Sequence, residues 1–400
     1  PVPAPFQGFD NDSKFTIKYD DLTNLLKAVV VDVGLSNREK AAPSHAATGT
    51  RMKASVNRST VNEANRFYYE TFEDNDEAQG LLIGIQESLE LVPDQAPLRY
   101  FSRDEQLAYW LNLYNVTVLN QIIAEYPKRN LKKLVTGKHS IFSNKVLTVA
   151  GVPLSLDDIE YTILKNNYNS DPLIIYGLYQ GYIGGPNIRK RAYTGSNVYQ
   201  SLKNNAYEFI NSNRGTYAKD EKTFLVSSLY ERNKAFFPDF KNDLTKHLLT
   251  YIEGEERSDL QSSRTIKADI DDWSVTDLGG TYRDMGASFA DNNAALLNAV
   301  VGTVPQDSLA GGSPSSTSVG TDGSTPATSV GAMGGYGSAA MAAKAQPLSR
   351  FPTEMLIQLQ ELNLKQENNR AENARVTVEE MGEFPVQPKA DSDKEDKDNN

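Results

Sequence analysis

Between Phe15 and Ile252 apolar positions recur three and four residues apart in several separate stretches. Phe15 and Tyr19 lead into Leu22–Val31, which predicts an opening helix packed through Leu25, Leu26 and Val29. Asn62–Phe72 predicts a second helix, with Phe67, Tyr68 and Phe72 on one side. Gln79–Leu91 predicts a third, with Leu81, Ile85 and Leu89 four apart. The clearest pattern spans Arg103–Tyr126. Ser102 stands at its N-cap, Glu105 three residues later matches a capping box, and Pro127 stops it. Apolar residues from Leu107 to Ile123 run nearly all round this helix, so it belongs at the centre of the fold.

Beyond it, Lys145–Leu154 reads as a short β-hairpin, and Ser155 and Leu156 open a helix to about Lys165. Leu173–Tyr179 is a compact apolar run between Pro172 and Gly181, predicting a buried strand. Asn197–Ser212 and Phe240–Ile252 predict two more amphipathic helices. The expected fold is α+β: a mainly helical single domain around a small sheet, with a flexible linker and a C-terminal tail. The expected divisions are an N-terminal extension (1–14), the core (15–253), and a docking segment (254–303) that contains Trp273. A linker rich in Gly, Ser, Ala and Thr (304–348) and a tail (349–400) follow. The tail combines a short amphipathic helix, with Met355, Leu359 and Leu362 on one face, and a charged end.

Composition narrows the chemistry. Cysteine is absent from the 400 residues, which removes thiol nucleophiles, cysteine metal sites and disulfides. The formal net charge of −11, with no long basic stripe, argues against a duplex nucleic-acid binder. No apolar run reaches the ~18–20 residues that a membrane-spanning helix needs. His45, His139 and His247 are far apart in no ligand spacing, so neither a metal nor a cofactor is expected. The opening Pro1-Val2-Pro3-Ala4-Pro5 has the composition that follows a cleaved secretory signal, and export is the expectation it raises.

Glu105, Asn112 and Asn115 lie near one stripe of the central helix. They form either a polar wall lining a cleft or an internal network tying the helix to loops, and the network is the favoured alternative. Asp157, Asp158 and Glu160 cluster where the next helix begins. Paired carboxylates can act as acid and base, but acidic first turns also suit the helix dipole, which is the simpler explanation. Gly181–Asn187 and the basic Arg189-Lys190-Arg191 lack the spacing of a phosphate loop. They read instead as a tight turn that places Gln180 and Asn187 at the lip of the sheet.

Four blocks in order carry a family resemblance. They are Ser102–Asn115, Leu154–Glu160, Asp171-Pro172 through Gly181 and Pro186 to Ala192-Tyr193, and Phe237-Pro238-Asp239-Phe240. Over about Tyr19–Ile252 the chain resembles the bacterial and plant family called domain of unknown function 547. Many members of that family carry a His after the Asp-Asp-Ile-Glu stretch and Cys near the Gly-Pro turn. Here Tyr161 stands at the His position, and Gln180 and Gly185 stand at the Cys positions. The resemblance therefore leans away from a thiol enzyme and toward binding.

The leading expectation is an exported binding or assembly protein whose tail engages a protein partner through Met355, Leu359 and Leu362. The rival is a hydrolase with Glu105 or Asp158 as base and Asn112, Asn115, Gln180 or Asn187 holding the substrate. A pseudoenzyme derived from such a hydrolase is the third alternative.

Overall fold

The computed structural model describes residues 1–38, 60, 63–278, 350–352, 354–362 and 364–365. The linker 304–348 and the charged end of the tail lie outside the described residues. The chain divides into two compact units, Pro1–Arg350 and Phe351–Asn400.

In the first unit, helix α1 (Asp20–Val29) buries Leu22, Leu25, Leu26 and Val29. It runs directly into strand β1 (Val30–Val31), which pairs antiparallel with β2 (Arg66–Phe67). The helix expected over Asn62–Phe72 is replaced by β2 and a 3-10 turn at Tyr69–Phe72. The cause is tertiary: Phe67, Tyr69 and Phe72 are all buried, with ring centroids 4.6 Å apart for Phe67–Tyr69 and 5.5 Å for Phe67–Phe72. The Phe67 and Tyr68 N–H groups donate to Thr276 and Val29 carbonyls, each at 2.8 Å, so the backbone is spent on neighbours and not on a helix.

Helix α2 (Asp76–Glu90) is capped by Asn75, whose side chain accepts from the Ala78 N–H. Helix α3 (Arg103–Ile123) is the buried centre that the pattern predicts, with its side chains covered along almost the whole length. Ser102 accepts from the Glu105 N–H at 3.2 Å. The reciprocal half of the capping box is missing because the Glu105 carboxylate turns to other segments. Residues 1–14, expected as an extension, are packed: Phe6 is fully buried and meets Trp110 edge-on at 5.0 Å.

Strands β3 (Leu147–Val149) and β4 (Val152–Leu154) form the expected hairpin. Ala150 and Gly151 turn it with φ of 48° and 73°, the left-handed pair that a two-residue hairpin turn demands. The buried strand expected at Leu173–Tyr179 is instead a 3-10 helix, Pro172–Gly177. Pro172 supplies a preset φ at its first position, and the Asp171 carboxylate accepts from the Leu173 N–H at 2.9 Å.

Helix α4 (Val198–Ile210) is followed by β5 (Thr216–Asp220), β6 (Thr223–Ser227) and helix α5 (Ser228–Arg232). Helices α6 (Phe240–Tyr251) and α7 (Gly254–Ser262) then lead to β7 (Thr265–Ile270). The sheet order is β5-β6-β7, with β5 antiparallel and β7 parallel to β6. Residues past 253 thus complete a sheet of the core. The fold is α+β and mainly helical, with its strands shared among three small sheets in the described residues.

Arg350 closes the first unit. It is buried, pairs with both Asp21 carboxylate oxygens at 2.8 Å, and reaches Ser88 and the Lys18 carbonyl. The second unit contains a helix over 354–362. Among the described residues no helix is long and apolar enough to cross a membrane.

Candidate functional site

The polar stripe of α3 is committed to main chain. Glu105 accepts from the Ile17 N–H at 2.9 Å through Oε1 and from the Gly195 N–H at 3.0 Å through Oε2. Gly195 is required there, because a Cβ would lie 3.1 Å from the Glu105 backbone and fall on its carboxylate. Burial pushes the Glu105 carboxyl above its ordinary value, and the two N–H donors pull it back. Asn112 donates to the Tyr193 carbonyl at 2.8 Å and accepts from the Tyr193 N–H at 2.9 Å. Asn115 donates to the Gly177 carbonyl at 3.0 Å and accepts from the Tyr179 N–H at 2.9 Å.

One helix therefore pins three otherwise irregular segments, near residues 17, 177–179 and 193–195. The space beside Asn112 and Asn115, lined also by Arg189 and Tyr193, is a cavity of about 10 Å³. That is about the room one water needs.

The other expected site residues are also tied to the fold. Asp158 accepts from the Ser155 N–H at 2.7 Å and hydroxyl at 2.6 Å, and pairs with Lys145. Ser155 in turn accepts from the Asp158 N–H at 3.1 Å, a reciprocal cap. Partial burial pushes the Asp158 carboxyl up, but Lys145 and Ser155 outweigh it and hold it below its ordinary value. Asn187 accepts from the Asn65 N–H at 2.8 Å, and Asn65 in turn accepts from Val33. Gln180 and Asn187 do not share the lip of a sheet: Gln180 is buried, and Asn187 belongs to the Asn65 connection. In the second unit Met355 and Leu359 are buried, and Leu362 is half-buried. Leu356, Ile357 and Leu364 are exposed, at 38%, 58% and 54%.

A different cluster is assembled around Glu160, which the sequence pattern assigns only to an acidic first turn. The helix that starts at Leu156 widens into a π-helix over Asp158–Leu164, and the Lys165 N–H bonds to the Glu160 carbonyl five residues back. Such turns are rare and recur at functional sites. Glu160 is buried, and its Oε2 accepts from the Tyr114 hydroxyl at 3.3 Å. Desolvation pushes its carboxyl up to about 7 despite the opposing charge of Arg232.

Arg232, at the end of α5, donates to Gln180 Oε1 at 2.8 Å and to the Tyr182 hydroxyl. The Tyr182 hydroxyl also donates to Gln180 Oε1 at 2.7 Å. The guanidinium lies 5.4 Å from the Tyr182 ring centroid and 5.3 Å from that of Trp273. The Tyr161 hydroxyl is aimed at the Arg232 carbonyl (3.3 Å) and Asn233 Oδ1 (3.4 Å). Arg232 and Tyr161 are only partly buried, so the cluster reaches toward the surface through them.

Residues 98–210 match the profile of a family described as Protein of unknown function, DUF547. Over that segment the chain is similar to the family. No curated protein and no solved structure gives a match. The family segment contains α3, the π-helix and Gln180, whereas Arg232 and Trp273 come from beyond it. Tyr161 and Gln180, the positions singled out by resemblance, both meet Arg232. Sequence reasoning misses Arg232 and Trp273 as site residues. A lone Arg in a short helix gives no periodic signal, and Trp273 reads only as a docking anchor. Among the described residues, no three His, Cys, Asp or Glu side chains are grouped to hold a metal ion.

Proposed function

We propose that the protein is an exported binding or assembly protein and not a hydrolase. Its core presents the Glu160–Arg232 cluster as a recognition site, and its C-terminal tail engages a protein partner. The observation that supports this is the fixing of Gln180 and Tyr161 by Arg232, at positions where the resemblance expects Cys and His. A carboxamide locked by a guanidinium is no nucleophile, and the other hydroxyls of the cluster are tyrosines, which burial holds above their ordinary pKa. Glu105 and Asp158, the expected bases, each spend their carboxylates on neighbouring donors.

For the tail, the exposed Leu356 and Ile357 are better anchors than the buried Met355 and Leu359. The test is capture of partners from native extract by the full chain and by a Leu356→Asp/Ile357→Asp chain. Partners held by the native chain and lost from the double variant support the reading. Equal capture by both refutes the tail's role. The double variant is preferred to truncation near 302, because truncation also removes the Arg350 anchor.

One observation favours a second reading, an acid–base enzyme centred on Glu160. Its carboxyl, at about 7, is poised for proton transfer at neutral pH. Turnover of a chromogenic ester, peptide or glycoside that disappears in Glu160→Gln would establish that reading instead.

A further inference from the structure

Three buried polar atoms of this cluster have no hydrogen-bond partner among the described residues: Glu160 Oε1, Arg232 Nε and Trp273 Nε1. An unpaired buried group is costly, and folded proteins leave few of them without water or ligand. The three side chains belong together. Arg232 stacks on the Trp273 ring, and it is the opposite charge that acts on Glu160. Two of the three atoms are obligate donors, a guanidinium N–H and an indole N–H. The third, a carboxyl oxygen, donates when it carries a proton.

A ligand group offering only acceptors fits that set, and a carboxylate is such a group, with Arg as its usual partner. A carboxamide fits less well, since its N–H₂ would face two donors. The Tyr182 and Trp273 rings, 4.7 Å apart at their centroids, supply an apolar flank for a short organic chain.

We infer that the Glu160–Arg232–Trp273 cluster binds the carboxylate of a small organic acid, with Glu160 donating to it as the neutral acid. This rests on the cluster being the recognition site proposed above. Above about pH 7, where the unliganded carboxyl is ionised, binding then takes up one proton from solvent onto Glu160. The charged and titratable groups that face Glu160 are Asp157 and Tyr161 on its own helix, Tyr114 from α3 and Arg232 from α5. Tyr182 bridges to Arg232, with Asp271 acting on Tyr182.

The probe is acetate, with acetamide as the neutral isostere, followed on the full chain by the indole N–H resonances. There are only two tryptophans, so Trp273→Phe assigns the signals. Acetate should shift the Trp273 signal saturably at pH 6 and leave the Trp110 signal in place. Native affinity should fall about tenfold per pH unit above ~7, and Glu160→Gln should bind with little pH dependence. Arg232→Met should abolish the shift.

Absence of a saturable shift at pH 6 overturns the inference. So does acetamide binding as tightly as acetate, or a native pH dependence that Glu160→Gln retains. If acetate fails while partner capture still depends on Leu356 and Ile357, the carboxylate assignment alone is lost and the tail reading stands.

Discussion

Replacing Glu160 with Gln should stabilise the protein at alkaline pH and do little at acid pH. In the folded chain the carboxyl is pushed from an ordinary value of 4.5 up to about 7, chiefly by desolvation. The folded state then binds the proton more tightly than the unfolded state does. Between those two values the native protein carries more protons, so its stability falls as pH rises. Each tenfold difference in proton affinity between the two states is worth ~1.4 kcal/mol. The full loss is then roughly 3 kcal/mol, of which roughly 2–3 kcal/mol falls between pH 5 and 8. Glutamine keeps the shape and stays neutral, so the variant escapes that loss. Urea unfolding of both chains at pH 5 and 8 measures it. The stability difference, variant minus native, should grow by roughly 2–3 kcal/mol from the lower to the higher pH. A difference independent of pH would refute a carboxyl titrating near neutrality, and with it the placement of Glu160 in a desolvated site. A residue that costs stability when ionised at working pH is one that folding alone does not explain.

Other consequences of the structure are local and measurable by denaturant titration. Asn112→Ala removes two bonds to Tyr193 and leaves its buried N–H and carbonyl unpaired, so it should cost roughly 2–4 kcal/mol. Gly195→Ala should cost roughly 1–3 kcal/mol, because its methyl group falls on Glu105, and Gly84→Ala, with nothing nearby, should cost nothing. Ser155→Ala should cost ~1 kcal/mol as a lost cap and leave partner capture unchanged. Arg350→Met should lower stability by roughly 1–3 kcal/mol, since Arg350 joins Asp21, Lys18 and Ser88.

Much of the scaffold was legible because it rests on periodicity. The helices near residues 22, 79, 103, 197 and 240 and the hairpin at 145–154 follow spacing and capping rules that act within a few residues. The two stretches misread as regular elements show where local rules stop. Asn62–Phe72 loses to strand pairing with Val30 and Val31, and Leu173–Tyr179 is a short apolar run whose period does not separate strand from helix.

The candidate site was legible only in part. Glu105, Asn112 and Asn115 stood out as polar positions on an apolar helix, but their partners are main-chain groups from Ile17 to Gly195 that no side-chain pattern announces. Glu160 was masked by the ordinary preference of helix starts for acidic residues. The widened turn that sets it apart, and the arrival of Arg232 from α5 and Trp273 from beyond β7, depend on contacts over long sequence distances.

The central functional claim, recognition of a partner without hydrolysis, is tested most directly by capture from native extract. The native chain is compared with Leu356→Asp/Ile357→Asp, after circular dichroism has shown the two folds to be equal. The account predicts that specific partners remain with the native chain and are lost from the variant. Undiminished capture by the variant would contradict it.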